Sequence, residues 1–341
     1  MSQPTQHQQI PPKIGGAIWF LRWANASRPY YILMALAVGA AFYFGWILLG
    51  WLPHEHNGKV YRVNPRVGPV LAALTITMVW TANWVARGSR SDWMKVSTNR
   101  HPTDALAKKA FAPGAKLLLA CTLFGAFMGV VQLWVTGDLS DLRGGALSQQ
   151  FGGILMVVLF WILAVQVGGL FVSVIFGFYR LGGHVEPDLL RQESLTPFSL
   201  VGLRILATFA VTITMLLIMS HNIGVSDEMD LAGLSVPCGF MLILAVPCFL
   251  LPQLGVRNSI KRTRRRMIRQ LDERIDAANY PKSSSLESPA SIQRIAELFS
   301  LRERLVRAPN WPITGIAWLR FLALLLLPPA TWALEKFLKS L

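Results

Sequence analysis

The chain has 341 residues, 53% of them hydrophobic and only 15% charged, with a mean hydropathy of +0.42. That composition excludes an ordinary soluble domain and a disordered regulator and indicates a polytopic membrane protein. The formal net charge of +15 is unevenly spread, with 13 of the 33 Lys and Arg in residues 253–315, so a membrane surface or other polyanion is implied as a local partner.

Residues 1–29 read as a cytoplasmic N-terminus. Its start, MSQPTQHQQIPPK, is polar and contains prolines, and no short apolar core with a small-residue cleavage site follows. The first membrane helix is therefore expected to act as its own insertion signal. From Ile14 to Tyr31 the rings of Trp19, Phe20, Trp23, Tyr30 and Tyr31 alternate with Lys13, Arg22 and Arg28, a mixture suited to the headgroup layer.

A spanning helix needs about 20 apolar residues, because each adds about 1.5 Å across a core of about 30 Å. Six stretches within residues 30–252 meet that requirement: Tyr30–Leu52, Val67–Ala86, Leu117–Thr136, Gly152–Phe178, Phe198–Ser220 and Leu231–Leu251. The expected fold class is all-α, a polytopic membrane helix bundle with these six spans. Lys and Arg near span ends stay on the cytoplasmic side. With the N-terminus inside, the inner segments hold 24 such residues against 4 in the outer loops, which gives the expected orientation, and a cell (inner) membrane is the expected location.

Within the spans, Gly125 and Gly129 form a GxxxG, and Ala41 and Gly45 a second small-residue pair; both suit close helix packing inside one bundle. Pro237 and Pro247 are expected to kink the sixth span. Ionisable residues are nearly absent from the spans, and Arg204 reads as snorkelling to the interface. Thr77, Thr81, Asn83, Gln132, Gln166 and Ser173 are polar but neutral, and read as interhelical hydrogen-bonding groups. Cys121, Cys238 and Cys248 lie in apolar runs without a CxxC pair and read as small buried hydrophobes.

Residues 253–312 read as a basic cytoplasmic helical hairpin. Pro252 and Gly255 predict a break after the sixth span, with Asn258 or Ser259 capping a new helix over Val256–Ala278. Seven of the thirteen residues from Arg257 to Arg269 are cations: Arg257, Lys261, Arg262, Arg264, Arg265, Arg266 and Arg269. Placed in the first turns of a helix they would oppose its dipole, so an anionic partner is expected, and lipid headgroups attract each surface cation by about 1 kcal/mol. Nucleic acid fits less well, since the segment is tethered to a bilayer and has no flanking aromatic platform.

An apolar stripe of Ile268, Leu271, Ile275 and Ala278 follows on the first hairpin helix. After the linker NYPKSSSLES, Ser288 and Pro289 start a second helix over Ala290–Arg307, whose stripe is Ile292, Ile295, Phe299 and Val306, with Leu298 and Leu305 alongside. The two stripes are expected to cover each other, a protein partner or a second copy of the chain.

Residues 313–341 leave two alternatives. Ile313–Leu334 either spans the membrane as a seventh helix, which puts Lys336 and Lys339 outside against the charge rule, or folds back as a re-entrant or in-plane helix-turn-helix broken at Pro328–Pro329, which keeps them and Arg320 inside.

No HExxH, GxxxxGK[ST], GxSxG or repeated CxxC occurs, and TGD at 136–138 lacks a following glycine. His54 and His56 could share one face of an extended loop but have no further committed ligand there, and His101 and His184 sit beside acids without an identifiable nucleophile. No catalytic residue, metal or cofactor is assigned. The expected function is that of a non-enzymatic anchor, scaffold or signal-receiving component whose hairpin binds anionic lipid and a protein partner. The alternative is a channel or membrane-permeabilising effector, and a membrane enzyme comes third.

Overall fold

The computed structural model describes residues 28–50, 54–56, 59–61, 67–97, 114–135, 147–185, 195–222, 231–279, 289–308, 311, 313 and 315–340. Among them are eight helices and one small two-stranded ribbon: α1 Arg28–Gly50, β1 His54–His56, β2 Lys59–Tyr61, α2 Val67–Ser97, α3 Ala115–Val135, α4 Leu147–His184, α5 Thr196–Asn222, α6 Leu231–Asn279, α7 Pro289–Arg307 and α8 Gly315–Ser340. In the ribbon, antiparallel pairing sets His54 opposite Tyr61 and His56 opposite Lys59. An almost wholly helical fold is what a bilayer demands, since a helix satisfies its backbone groups internally where no water can.

Six helices contain segments long and apolar enough to cross a membrane: Tyr30–Leu48, Gly68–Val96, Ala115–Trp134, Ile154–His184, Thr196–Met215 and Gly315–Leu334. Five coincide with sequence-predicted spans. Leu231–Leu251, the remaining predicted span, is helical as the first half of α6, although most of its side chains before Ala245 lie outside the described residues. Pro237 and Cys238 fall in that group, as the N-terminal lead-in before Arg28, His101 and the linker 280–288 lie outside the described residues altogether.

Buried residues of α2, α4, α5 and α6 form the main core, with Phe178 and Phe198 fully enclosed in it. Phe178 meets Phe198 edge to face, with centroids 5.7 Å apart, a geometry favoured by the ring quadrupoles. Peripheral α3 packs on α4, and α1 packs on α2 and α4. A second cluster joins Leu203, Leu206, Ala210 and Ile213 of α5 and Ala245 and Phe249 of α6 to Ala317 and Phe321 of α8. There Phe249 stacks on Phe321 at 4.6 Å.

Three elements depart from the sequence expectations. First, α2 does not stop near Ala86 but continues to Ser97. Val85, Ser89, Trp93 and Val96, spaced by four, four and three, keep one buried face through that extension.

Second, the predicted break at Pro252 and Gly255 is absent, and α6 is one helix of 49 residues. Gly255 serves close approach instead of chain reversal, because a Cβ there would overlap the carbonyl oxygen of Tyr179 on α4. The reciprocal contact is equally tight: a Cβ on Gly182 would fall 2.6 Å from the backbone nitrogen of Val256. One helix earlier in the same junction, a Cβ on Gly202 of α5 would lie 2.9 Å from the Cys248 carbonyl oxygen. Glycine thus lets α6 dock on two neighbours where it leaves the bundle. Consequently Asn258 and Ser259 cap nothing, and the cations from Lys261 to Arg269 occupy a helix interior where the end of the macrodipole does not oppose them.

Third, α8 runs without a turn through Pro328 and Pro329. The re-entrant break is therefore absent, and Gly315–Leu334 is a single apolar helix of spanning length beside α5 and α6. Prolines are tolerated there because neighbouring helices and local adjustments accommodate the freed carbonyls.

Candidate membrane-surface site

Beyond Gly255 the two faces of α6 have different chemistry. One face carries Arg264, Ile268, Leu271 and Ile275, spaced by four, three and four, and turns toward α7. Leu271 and Ile275 are buried, Ile268 is half-buried, and from α7 Leu298, Leu301 and buried Leu305 join the same core. Arg302 Nε donates to Asp272 Oδ1 at 2.7 Å across the pair.

The α7 stripe thus differs from the predicted one. Ile295 is half-buried, but Phe299 and Val306 point outward, 50% and 51% exposed. The side chain of Ile292 lies outside the described residues. Leucine decides the register: 298, 301 and 305 hold a three-four spacing that places the ion-pairing Arg302 at the edge of the contact, whereas 299 and 306 share a heptad position one residue further round the helix.

The basic stretch does not act as one patch. Arg257 lies over the Trp311 ring, its Cζ 4.3 Å from the centroid, and Arg264 donates to the Ala308 carbonyl. Both hold the connection between α7 and α8 against α6. Arg262 Nη2 donates to the Gly183 carbonyl at 2.9 Å, and Ser259 donates to the Val185 carbonyl. These bonds set Arg262 level with the end of α4. Lys261, Arg265, Arg266 and Arg269 face outward. Arg262, Arg265, Arg266, Arg269, Gln270 and Glu273 line one open depression of about 430 Å³.

A charged pair lies between α2 and α5, where the sequence indicates only a snorkelling Arg204. Arg204 of α5 does not snorkel alone: its Nη1 donates to Asp92 Oδ2 on α2, with 18% and 1% of the two side chains exposed. Gly88 makes room for it, since a Cβ there would lie 2.6 Å from the guanidinium carbon. Asp92 Oδ1 and the hydroxyl of fully buried Ser89, one turn away on the same face, have no hydrogen-bond partner among the described residues. Lys95 Nζ reaches to 4.0 Å of that carboxylate oxygen.

Along α5 from this pair the threonine hydroxyls turn back onto their own helix. Thr208 donates to the Arg204 carbonyl at 3.0 Å, Thr212 to the Thr208 carbonyl at 2.8 Å, and Thr77 reaches Met215 Sδ at 3.2 Å. Asp92 escaped the sequence reading because the apolar window ends at Ala86. The signal that finds it is the periodic continuation Val85, Ser89, Trp93 and Val96.

The other residues singled out from sequence take packing positions. Cβ atoms on Gly125 and Gly129 would come within 2.6 Å of Ile162 Cα and 2.8 Å of Val158 Cα, so the GxxxG face meets α4 of the same chain. Gln166 Nε2 donates to Thr122 Oγ1 at 3.0 Å beside it. Gln132 accepts from the Trp161 indole. Thr77 and Thr81 donate to carbonyls one turn back at 2.8 and 2.7 Å, and Asn83 donates to Val79 at 3.2 Å.

His184, at the end of α4, contacts the Arg180 carbonyl through Nδ1 at 2.8 Å. Among the described residues no three His, Cys, Asp or Glu side chains come together as a metal site. No family model, no curated protein and no solved structure matches this chain.

Proposed function

We propose that this protein is a non-enzymatic membrane anchor and coupling component that binds an anionic lipid surface through α6 and carries that contact into the bundle. The observation that supports it is the continuity of α6, one helix from Leu231 to Asn279 that is packed in the bundle at Val256 and studded with outward cations from Lys261 to Arg269. A charge bound there acts on a rigid rod rather than on a floppy tail. With Gly315–Leu334 crossing as well, Lys336 and Lys339 join the outer side and the cations divide 24 to 6, which supports a cytoplasmic location for this end of the bundle and for the N-terminus. The outward α7 face with Phe299 and Val306 is the surface left for a protein partner or a second copy.

The test is lipid enrichment around the full-length protein in nanodiscs of mixed neutral and anionic lipid. Anionic lipid is expected to be enriched at low salt and progressively lost as salt screens the surface charges. Replacing Lys261, Arg265, Arg266 and Arg269 with Gln should abolish the enrichment. Undiminished enrichment in that variant would refute the reading.

A second reading, a transport or permeation pathway, is favoured by the Asp92–Arg204 pair, because ionisable groups enclosed within a membrane bundle are a mark of substrate and proton routes.

A further inference from the structure

We infer that the arginine-lined depression on α6 is a site for a phosphomonoester group, which would make the anionic-surface contact selective; this rests on the lipid-binding reading above. Arg262, Arg265, Arg266, Arg269, Gln270 and Glu273 recur at three, one, three, one and three residues, which puts all six on one helical face. Four guanidiniums against a single carboxylate leave a strong positive excess around about 430 Å³, ample for a phosphate with its ester linkage.

Arg262 is held by the Gly183 carbonyl, so one wall is oriented before any ligand arrives. Asp272, which could have neutralised the stripe, is turned away and engaged by Arg302.

Height supports the same ligand. Arg262 is level with the end of the apolar segment Ile154–His184, and Arg269 lies about 10 Å further along the helix at 1.5 Å per residue. A segment of 31 residues is about 46 Å long against a hydrocarbon core of about 30 Å, so its end and the stripe beyond it lie at the outer side of the headgroup layer, where a terminal phosphate projects. A phosphodiester offers two free oxygens and one charge. A terminal phosphomonoester offers three oxygens and −1.5 to −2 charges at neutral pH, roughly, and guanidinium forks bind such groups in bidentate fashion. Convergent arginines along a helix favour the second.

The experiment titrates full-length protein in neutral detergent with short-chain phosphatidate, short-chain phosphatidylglycerol and inorganic phosphate, using calorimetry. Phosphatidate is expected to bind at least tenfold more tightly than phosphatidylglycerol. Arg265→Gln with Arg269→Gln should weaken phosphatidate binding at least tenfold. The charge-matched pair Arg274→Gln and Arg304→Gln, exposed residues outside the depression, should leave it within twofold. Inorganic phosphate binding as tightly as phosphatidate would identify a soluble phosphate source, and much weaker binding a lipid headgroup; both uphold phosphomonoester recognition. Equal affinity for the two lipids, or an unchanged preference in the Arg265/Arg269 variant, would overturn the inference and leave general lipid binding standing. Binding of neither lipid would overturn both.

Discussion

Asp92 and Arg204 are the residues whose removal should be felt most. Their pair is almost enclosed between α2 and α5, with Gly88 beneath the guanidinium. Breaking a buried pair by deleting one partner leaves an uncompensated charge, at a loss of about 3–5 kcal/mol, whereas replacing both by apolar groups of similar size is often close to neutral. Asp92→Ala is therefore expected to lower the unfolding midpoint sharply in detergent, and Asp92→Leu with Arg204→Met to recover most of the loss. If the double variant were as unstable as Asp92→Ala, the pair would not be the unit of stability. Asp92→Asn separates the two functional readings. Flux through reconstituted vesicles that disappears in this variant favours a pathway, while lipid enrichment that persists in a flux-free protein favours the anchor. At this scale the sequence is a poor guide, because Arg204 is visible inside an apolar run but its partner lies 112 positions away, in a segment that composition alone assigns to a loop.

At the scale of elements, apolar periodicity was informative and the breakers misled. The helices of the bundle and both arms of the hairpin are legible as runs of apolar residues or three-four stripes. Pro252, Gly255, Pro328 and Pro329 suggest interruptions, yet α6 and α8 continue through them because neighbouring helices make a straight path preferable to an unsatisfied turn at membrane depth. Nothing in the local sequence distinguishes a glycine that breaks a helix from one that lets Tyr179 approach.

The α7 register is testable by substitution. Leu305→Ala, at a site 3% exposed, should destabilise the hairpin by about 2–5 kcal/mol, while Phe299→Ser on the exposed face should change stability by less than about 0.5 kcal/mol. Hydrogen exchange of α7 amides reads the difference. Stronger deprotection in the Phe299 variant would restore the sequence-predicted stripe.

For the whole molecule, composition and charge were enough to indicate a helical membrane bundle with a basic end. They did not indicate that the basic segment and the bundle are joined by one uninterrupted helix, since that depends on glycine contacts between α4, α5 and α6. With this junction, the outward arginines, the hairpin core of Leu271, Ile275 and Leu305, and the Arg257–Trp311 contact form one body with the bundle.

Pulsed electron resonance between spin labels at positions 243 and 277, both exposed on α6, tests that body most directly in a variant lacking the native cysteines. A continuous helix predicts one narrow distance distribution near about 50 Å at 1.5 Å per residue. A broad distribution centred well below about 40 Å would mean that α6 breaks near Gly255 and would contradict the rigid coupling of the basic face to the bundle.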